Sequence, residues 1–254
     1  MIGKTKVSVF LLIAFLLILS SCISSVVRAE EYYALGQAYY DLKKYAEAEN
    51  WFNKAKFHQA TRNASEYYLG RIAYDTGRYK DAEEYFERII NRDAENITAL
   101  KAAAYTCIKL EELGKAEAYY GRVLGLVPES YDDGYNYALV LLAMGKAEEA
   151  ENVLVRFNNT EDPKALIIIA RSQKQQGKPE AADAYTLSLL KEDNPELRAE
   201  FAAYLSEIGH KEKALEQYRL ALKNDKLTAE KKEAINNAIE LLETDGKSGA
   251  ETKQ

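Results

Sequence analysis

The sequence predicts an all-α chain, a solenoid of six stacked helix hairpins followed by a C-terminal capping helix. Three regularities carry this expectation. A small residue recurs at a fixed step: Gly36, Gly70, Ala104 and Ala138 at 34 residues, then Ala170 and Ala202 at 32. Twelve residues after each lies an Ala, and four further on a large residue: Ala48 with Phe52, Ala82 with Phe86, Ala116 with Tyr120, Ala150 with Leu154, Ala214 with Tyr218. The fifth unit departs, with Ala182 followed by Thr186 and Tyr185 beside it. Between the marks a Gly often closes the first helix, as at Gly77, Gly145, Gly177 and Gly209. Only small residues let two helix backbones approach closely, and the large residue fills the groove beside that contact. A lone hairpin cannot bury its apolar face, so such units must stack.

The chain opens with an address. Lys4 and Lys6 are followed by an apolar run from Val7 to Leu19, broken only by Ser8. That is shorter than the roughly 20 residues needed to span a bilayer core. It has the size of a signal-peptide apolar region. The segment Leu19-Ser20-Ser21-Cys22 resembles the lipobox of bacterial lipoproteins. The resemblance implies cleavage of residues 1–21 and attachment of diacylglycerol and an N-acyl chain to Cys22. An ordinary secretory signal, or an uncleaved anchor, is the alternative. Ile23 rather than Asp follows the Cys. By analogy with proteobacterial lipoproteins this favours the outer membrane facing the periplasm, with the inner membrane or cell surface left open. Residues 22–28 form a short tether of at most about 25 Å.

The repeat resembles the tetratricopeptide repeat (TPR): 34 residues, two antiparallel helices and a Gly in the turn. The units fall at 29–62, 63–96, 97–130, 131–162, 163–194 and 195–228. The resemblance implies a right-handed superhelix. Lys43 stands where unit 1 needs its turn Gly. Glu111 stands there in unit 3, with Gly114 displaced, so that turn is expected to be irregular. Residues 229–243 read as the capping helix, with Leu227, Ala234, Ile235, Ala238, Ile239 and Leu242 on one face. The polar stretch 244–254 reads as a disordered tail.

The family's geometry turns five positions of each first helix into a concave groove. Six tyrosines fall there: Tyr33, Tyr40, Tyr67, Tyr74, Tyr105 and Tyr135. Five cations join them: Arg71, Lys101, Lys109, Arg171 and Lys174. Tyr gives large contact area at low entropy cost, with a polar tip. A cationic, aromatic groove in an acidic chain suits a strand or helix of aromatic and acidic character. The competing reading is that the tyrosines only pack hairpins together and the cations only balance nearby acids. The Lys and Asn pair with which TPR co-chaperones grip a terminal carboxylate is missing; unit 3 has Lys101 but Tyr105.

Other signals carry less. A net charge of −6 argues against nucleic acid as partner. Two Cys and two His support neither a disulfide framework nor a zinc site. Cys107 is expected to be a buried, inert thiol. The pairs Glu83-Glu84 and Asp132-Asp133 are expected to be solvated, because helix neighbours face different ways. No phosphate loop, nucleophile elbow or zinc-protease motif occurs. No catalytic residue, metal or cofactor beyond the lipid on Cys22 is therefore expected. Trp51, beside Phe52, is either packing or part of an exposed patch. The expected function is a membrane-anchored adaptor that binds protein partners in the bacterial envelope, as a monomer or weak homo-oligomer. The alternatives are a pilotin-like or outer-membrane-assembly accessory, a self-assembling structural protein, and, least favoured, an enzyme or small-molecule binder.

Overall fold

The computed structural model describes residues 27–157 and 162–251, without the side chains of 245–251. Cys22 and the signal segment lie outside the described residues. Among the described residues the chain is all-helical. Helix α1 occupies 27–41. Then come α2 (Tyr45–Ala55), α3 (Gln59–Asp75), α4 (Tyr79–Arg92), α5 (Ile97–Lys109) and α6 (Leu113–Leu126). They are followed by α7 (Tyr131–Ala143), α8 (Ala147–Val155), α9 (Pro163–Gln175), α10 (Ala181–Lys191), α11 (Pro195–Glu207), α12 (Lys211–Leu222) and α13 (Ala229–Glu251). The first twelve pair into six hairpins. Helices α1–α6 form one compact unit and α7–α13 another. No described helix is long and apolar enough to cross a membrane.

The small-residue marks sit where helices touch. A Cβ placed on Gly36 would lie 2.6 Å from the Phe52 ring, and one on Gly70 would lie 2.6 Å from the Phe86 ring. Both rings are buried. Ala104, Ala138, Ala170 and Ala202 are likewise fully buried. Gly134 is a contact that the repeat pattern does not mark: a Cβ there would overlap the Phe157 ring.

All six hairpin turns share one geometry. The residues at 43, 77, 111, 145, 177 and 209 have φ between 56° and 82°. The next residue's N–H bonds back to a carbonyl five positions earlier in each, for example Arg78 to Ala73 at 2.7 Å and Glu112 to Cys107 at 2.9 Å. This is the Schellman closure of a helix end. The irregular turn expected in unit 3 is thus replaced by a regular one, with Glu111 itself left-handed at φ 60°. Lys43 does the same at φ 56°. A side chain in this region costs about 1 kcal/mol that glycine does not. Lys43→Gly and Glu111→Gly should therefore each stabilise the fold by about 0.5–1 kcal/mol, offset partly by the greater freedom of the unfolded chain. Urea unfolding checks this, and a loss of stability in both variants would contradict it.

The fifth hairpin is out of step by one residue. Ala181 and Tyr185 are fully buried, while Ala182 is only partly buried and Thr186 is exposed. Tyr185, not Thr186, fills the large-residue slot. The cause lies at the start of α10, where N–H groups of Ala181, Ala182 and Asp183 bond three residues back, around Pro179. Three-residue winding advances the helix faster than 3.6.

Asp162 and Asn194 cap α9 and α11 with their side chains, and Pro163 and Pro195 take the first helical position. In α13, Ile235 is buried, and Ala238, Ile239 and Leu242 pack with Tyr218, Ala221 and Leu227. Ala234 is exposed instead of sharing that face. The helix continues to Glu251, so residues 244–251 are helical rather than a disordered tail. No proline stops it there, and single glycines in a helix interior cost only about 1 kcal/mol each.

Candidate functional site

In the first unit, α1, α3 and α5 stand side by side. Tyr67, Arg71 and Tyr74 share one face of α3 by their spacing of four and three. Ile97, Lys101 and Tyr105 share one face of α5 for the same reason. Together with Asp75, Phe86, Thr98 and Ala102 they line a cleft of about 510 Å³. Five of the sequence-predicted site residues thus converge: Tyr67, Arg71, Tyr74, Lys101 and Tyr105.

The cleft is built from braced side chains. Tyr67 packs on buried Phe86 at 5.8 Å between ring centroids. The Arg71 Nη1 donates to the Tyr67 Oη at 3.3 Å. The Tyr40 Oη, from α1, donates to the Asp75 Oδ2 at 2.7 Å. Burial, and then that hydrogen bond, push the Tyr40 phenol above its ordinary range. Burial likewise raises Tyr74. Both phenols therefore remain protonated at neutral pH. Tyr105 sets its ring edge-on to buried Tyr120 at 6.0 Å and is itself 40 % exposed.

The other predicted residues lie elsewhere. Tyr33 packs against Phe52 at 5.8 Å and Tyr68 at 5.9 Å, and Tyr40 meets Tyr68 at 5.2 Å. These two are packing residues first. Tyr68, outside the predicted set, ties this cluster together; it stacks on Phe52 at 4.9 Å and accepts a bond from the Gln37 amide. Lys109 is exposed near the end of α5 and does not line the cleft.

In the second unit the predicted cations are engaged. Arg171 makes two bonds to the Glu200 carboxylate, at 2.8 and 2.6 Å. Tyr185 donates to the same carboxylate at 2.8 Å. Burial works to raise Glu200, but Arg171 and Tyr185 hold it below its ordinary range. Lys174 pairs with Glu207 at 3.0 Å. Tyr135 packs into the α7–α9 core. Arg171 and Lys174 therefore balance acids of the next hairpin, on α11, and Tyr135 serves the α7–α9 core.

The carboxylate pairs also differ from expectation. Glu83 is buried and bonded by Lys115 at 2.7 Å and Lys80 at 3.2 Å. Asp133 is buried and accepts from Ser130 at 2.5 Å. In each pair one neighbour turns inward and the other outward. Glu83, Cys107 and Glu112 bring potential metal-ligand atoms within 4.8 Å of one another. Two ammonium groups already neutralise the carboxylates, since Lys80 and Lys115 also pair with Glu112. These hydrogen bonds hold Glu112 down to about 2, and burial pushes the Cys107 thiol up to about 12. A cation would have to displace both lysines and ionise a reluctant thiol. The depressed Glu112 contributes stability above the ordinary carboxylate range, and loses it as pH falls toward 2.

Comparison with known proteins agrees with this architecture. Profiles of the tetratricopeptide repeat match residues 29–56, 55–97 and 67–131. No curated protein sequence matches the chain. Among solved structures, a TPR protein from Parabacteroides merdae is 18 % identical with a TM-score of 0.57, over 85 % of this chain and 98 % of that one. YrrB, described as a TPR protein with an unusual peptide-binding site, is 18 % identical with a TM-score of 0.59, over 68 % and 91 %. MamA from Desulfovibrio magneticus RS-1 is 13 % identical with a TM-score of 0.60, over 63 % and 93 %. The repeat matches, the six hairpins and their common turn make this chain a tetratricopeptide-repeat protein, built as a scaffold for protein–protein interaction.

Proposed function

We propose that the chain is a lipid-anchored adaptor of the bacterial envelope, held to a membrane through Cys22 and gripping a protein segment in the cleft of α1–α6. The observation that carries the reading is the cleft itself. Three tyrosines supply flat, half-buried area, while Arg71 and Lys101 outweigh Asp75 in charge. That chemistry recognises an extended or helical segment with aromatic and acidic side chains. The peptide-binding site named for YrrB supports the reading by analogy. The order of charges, apolar run and Cys22 supports the anchor.

Tyr67→Ala is a poor test, because the ring also packs on Phe86. Arg71→Glu with Lys101→Glu reverses the cleft's charge and leaves its aromatic walls in place. Detergent-solubilised protein and this variant would each be used to capture proteins from envelopes of the source organism. The expected result is a protein retained by the native chain and reduced at least ~10-fold with the variant, a difference of about 1.4 kcal/mol or more. Equal capture at an unchanged melting temperature would remove the cleft from the function. Mass spectrometry of the N-terminal peptide tests the anchor separately, through acyl mass on Cys22.

A further inference from the structure

We propose that the end of the first hairpin nearest Cys22 is a membrane-contact face, seated on the headgroups of an anionic lipid bilayer. The proposal rests on the anchor reading above and adds a side-chain contact to it. The argument begins with distance. Residues 23–26 alone separate Cys22 from the described start of α1, a reach of at most about 17 Å. Helix α1 begins at this end of the hairpin, and α2, antiparallel to it, finishes there. What the hairpin shows at this end therefore lies within one short tether of the bilayer surface.

That end is aromatic and basic. Tyr32 of α1 meets Trp51 of α2 at 5.6 Å between centroids. The Lys54 ammonium lies 4.1 Å from the Trp51 ring and 5.7 Å from that of Tyr32. Just past α2, Phe57 is 79 % exposed, with the Lys56 ammonium 5.8 Å from its ring. Val27 is 49 % exposed at the start of α1. Glu30 and Glu31 of α1 are exposed at this end, where Arg28, Lys54 and Lys56 outnumber them, and the acids of α2, Glu47 and Glu49, lie in its first half, away from it. Apolar and aromatic bodies with cationic tips settle at the headgroup level, where the rings enter the interface and the ammonium groups meet phosphates. A lipid anchor alone leaves the folded part free to swivel. A second, side-chain contact fixes its orientation, as a basic or apolar patch does beside an acyl chain. This also gives Trp51 a role that core packing does not.

Trp51 is the chain's one tryptophan, so its fluorescence reports this face alone. Acylated protein would be reconstituted into vesicles of phosphatidylglycerol and phosphatidylethanolamine with acyl chains brominated near the glycerol. The expected result is a blue-shifted Trp51 emission, quenched by the brominated lipid. A Lys54→Glu/Lys56→Glu/Phe57→Ser variant should lose quenching several-fold with its helical melting curve unchanged. Unquenched Trp51 in a protein that carries acyl mass on Cys22 overturns the contact and leaves the anchor standing. Quenching that persists in the variant also overturns it. So does a blue shift that depends on protein concentration without vesicles, which would assign the face to a second copy. If Cys22 carries no lipid, the anchor reading fails by itself. Vesicle quenching of the unacylated protein then decides the contact, present or absent.

Discussion

Gly70→Ala is expected to destabilise the protein by about 1–2 kcal/mol, although Ala is the better helix former by about 1 kcal/mol. Two effects oppose. The backbone gains from replacing Gly in the interior of α3. The added methyl must sit 2.6 Å from the Phe86 ring, which is 1 % exposed and held by Tyr67 and the α4–α5 core. An overpacked methylene in a tight core costs typically about 1–3 kcal/mol, and the larger effect wins. The pair makes this testable. In a Phe86→Leu background the methyl has room, so Gly70→Ala should cost little there and the cycle should show coupling of about 1 kcal/mol or more. Gly125→Ala supplies the opposite sign. It lies in α6 with nothing near its Cβ, and should be neutral or stabilising. Urea unfolding of the set decides it. If Gly70→Ala and Gly125→Ala behaved alike, the close crossing of α3 and α4 would not be what selects Gly70.

This contact marks how far the repeat was legible. The step of 34, the small residue and the large one sixteen later are consequences of helix crossing, so they appear in the residues themselves. What escapes the pattern depends on local winding. Pro179 tightens the start of α10 and moves Tyr185 into the slot that counting gives to Thr186. Lys43 and Glu111 enter the left-handed region because the closure of the hairpin outweighs their modest strain. The cleft was partly legible, since Tyr67, Arg71, Tyr74, Lys101 and Tyr105 follow from position in the unit. The availability of charge was not. Arg171 and Lys174 were read within their own unit, but their partners Glu200 and Glu207 lie 29 and 33 residues on, in the next hairpin. The signal was present: Tyr40 with Asp75, Lys115 with Glu83 and Lys231 with Glu196 are also 32 to 35 apart. In a stacked repeat, opposite charges about one step apart are neighbours. Asking that of each groove cation finds the acids that Arg171 and Lys174 face.

The same logic places the second large effect at Glu83. Its carboxylate is buried and answered by two lysines, Lys80 from its own helix and Lys115 from the next hairpin. The lysines are themselves half-exposed, so removing Glu83 returns them to water at small cost. Removing both lysines does the opposite and strands a buried anion beside Glu112. Breaking a buried pair from one side costs about 3–5 kcal/mol, and the partial exposure of these lysines brings the expectation to about 2–4 kcal/mol for Lys80→Met/Lys115→Met at pH 7. Each single substitution should cost less than half of that, because the remaining ammonium still reaches the carboxylate. Adding Glu83→Gln should recover most of the loss, since the neutral amide no longer needs a counter-charge. Denaturant midpoints of the four variants test this asymmetry. If Glu83→Gln failed to rescue the double variant, the lysines would be acting through their packed stems. If the rescue holds, the joint between the second and third hairpins depends on cations that reach across one repeat to neutralise a buried acid.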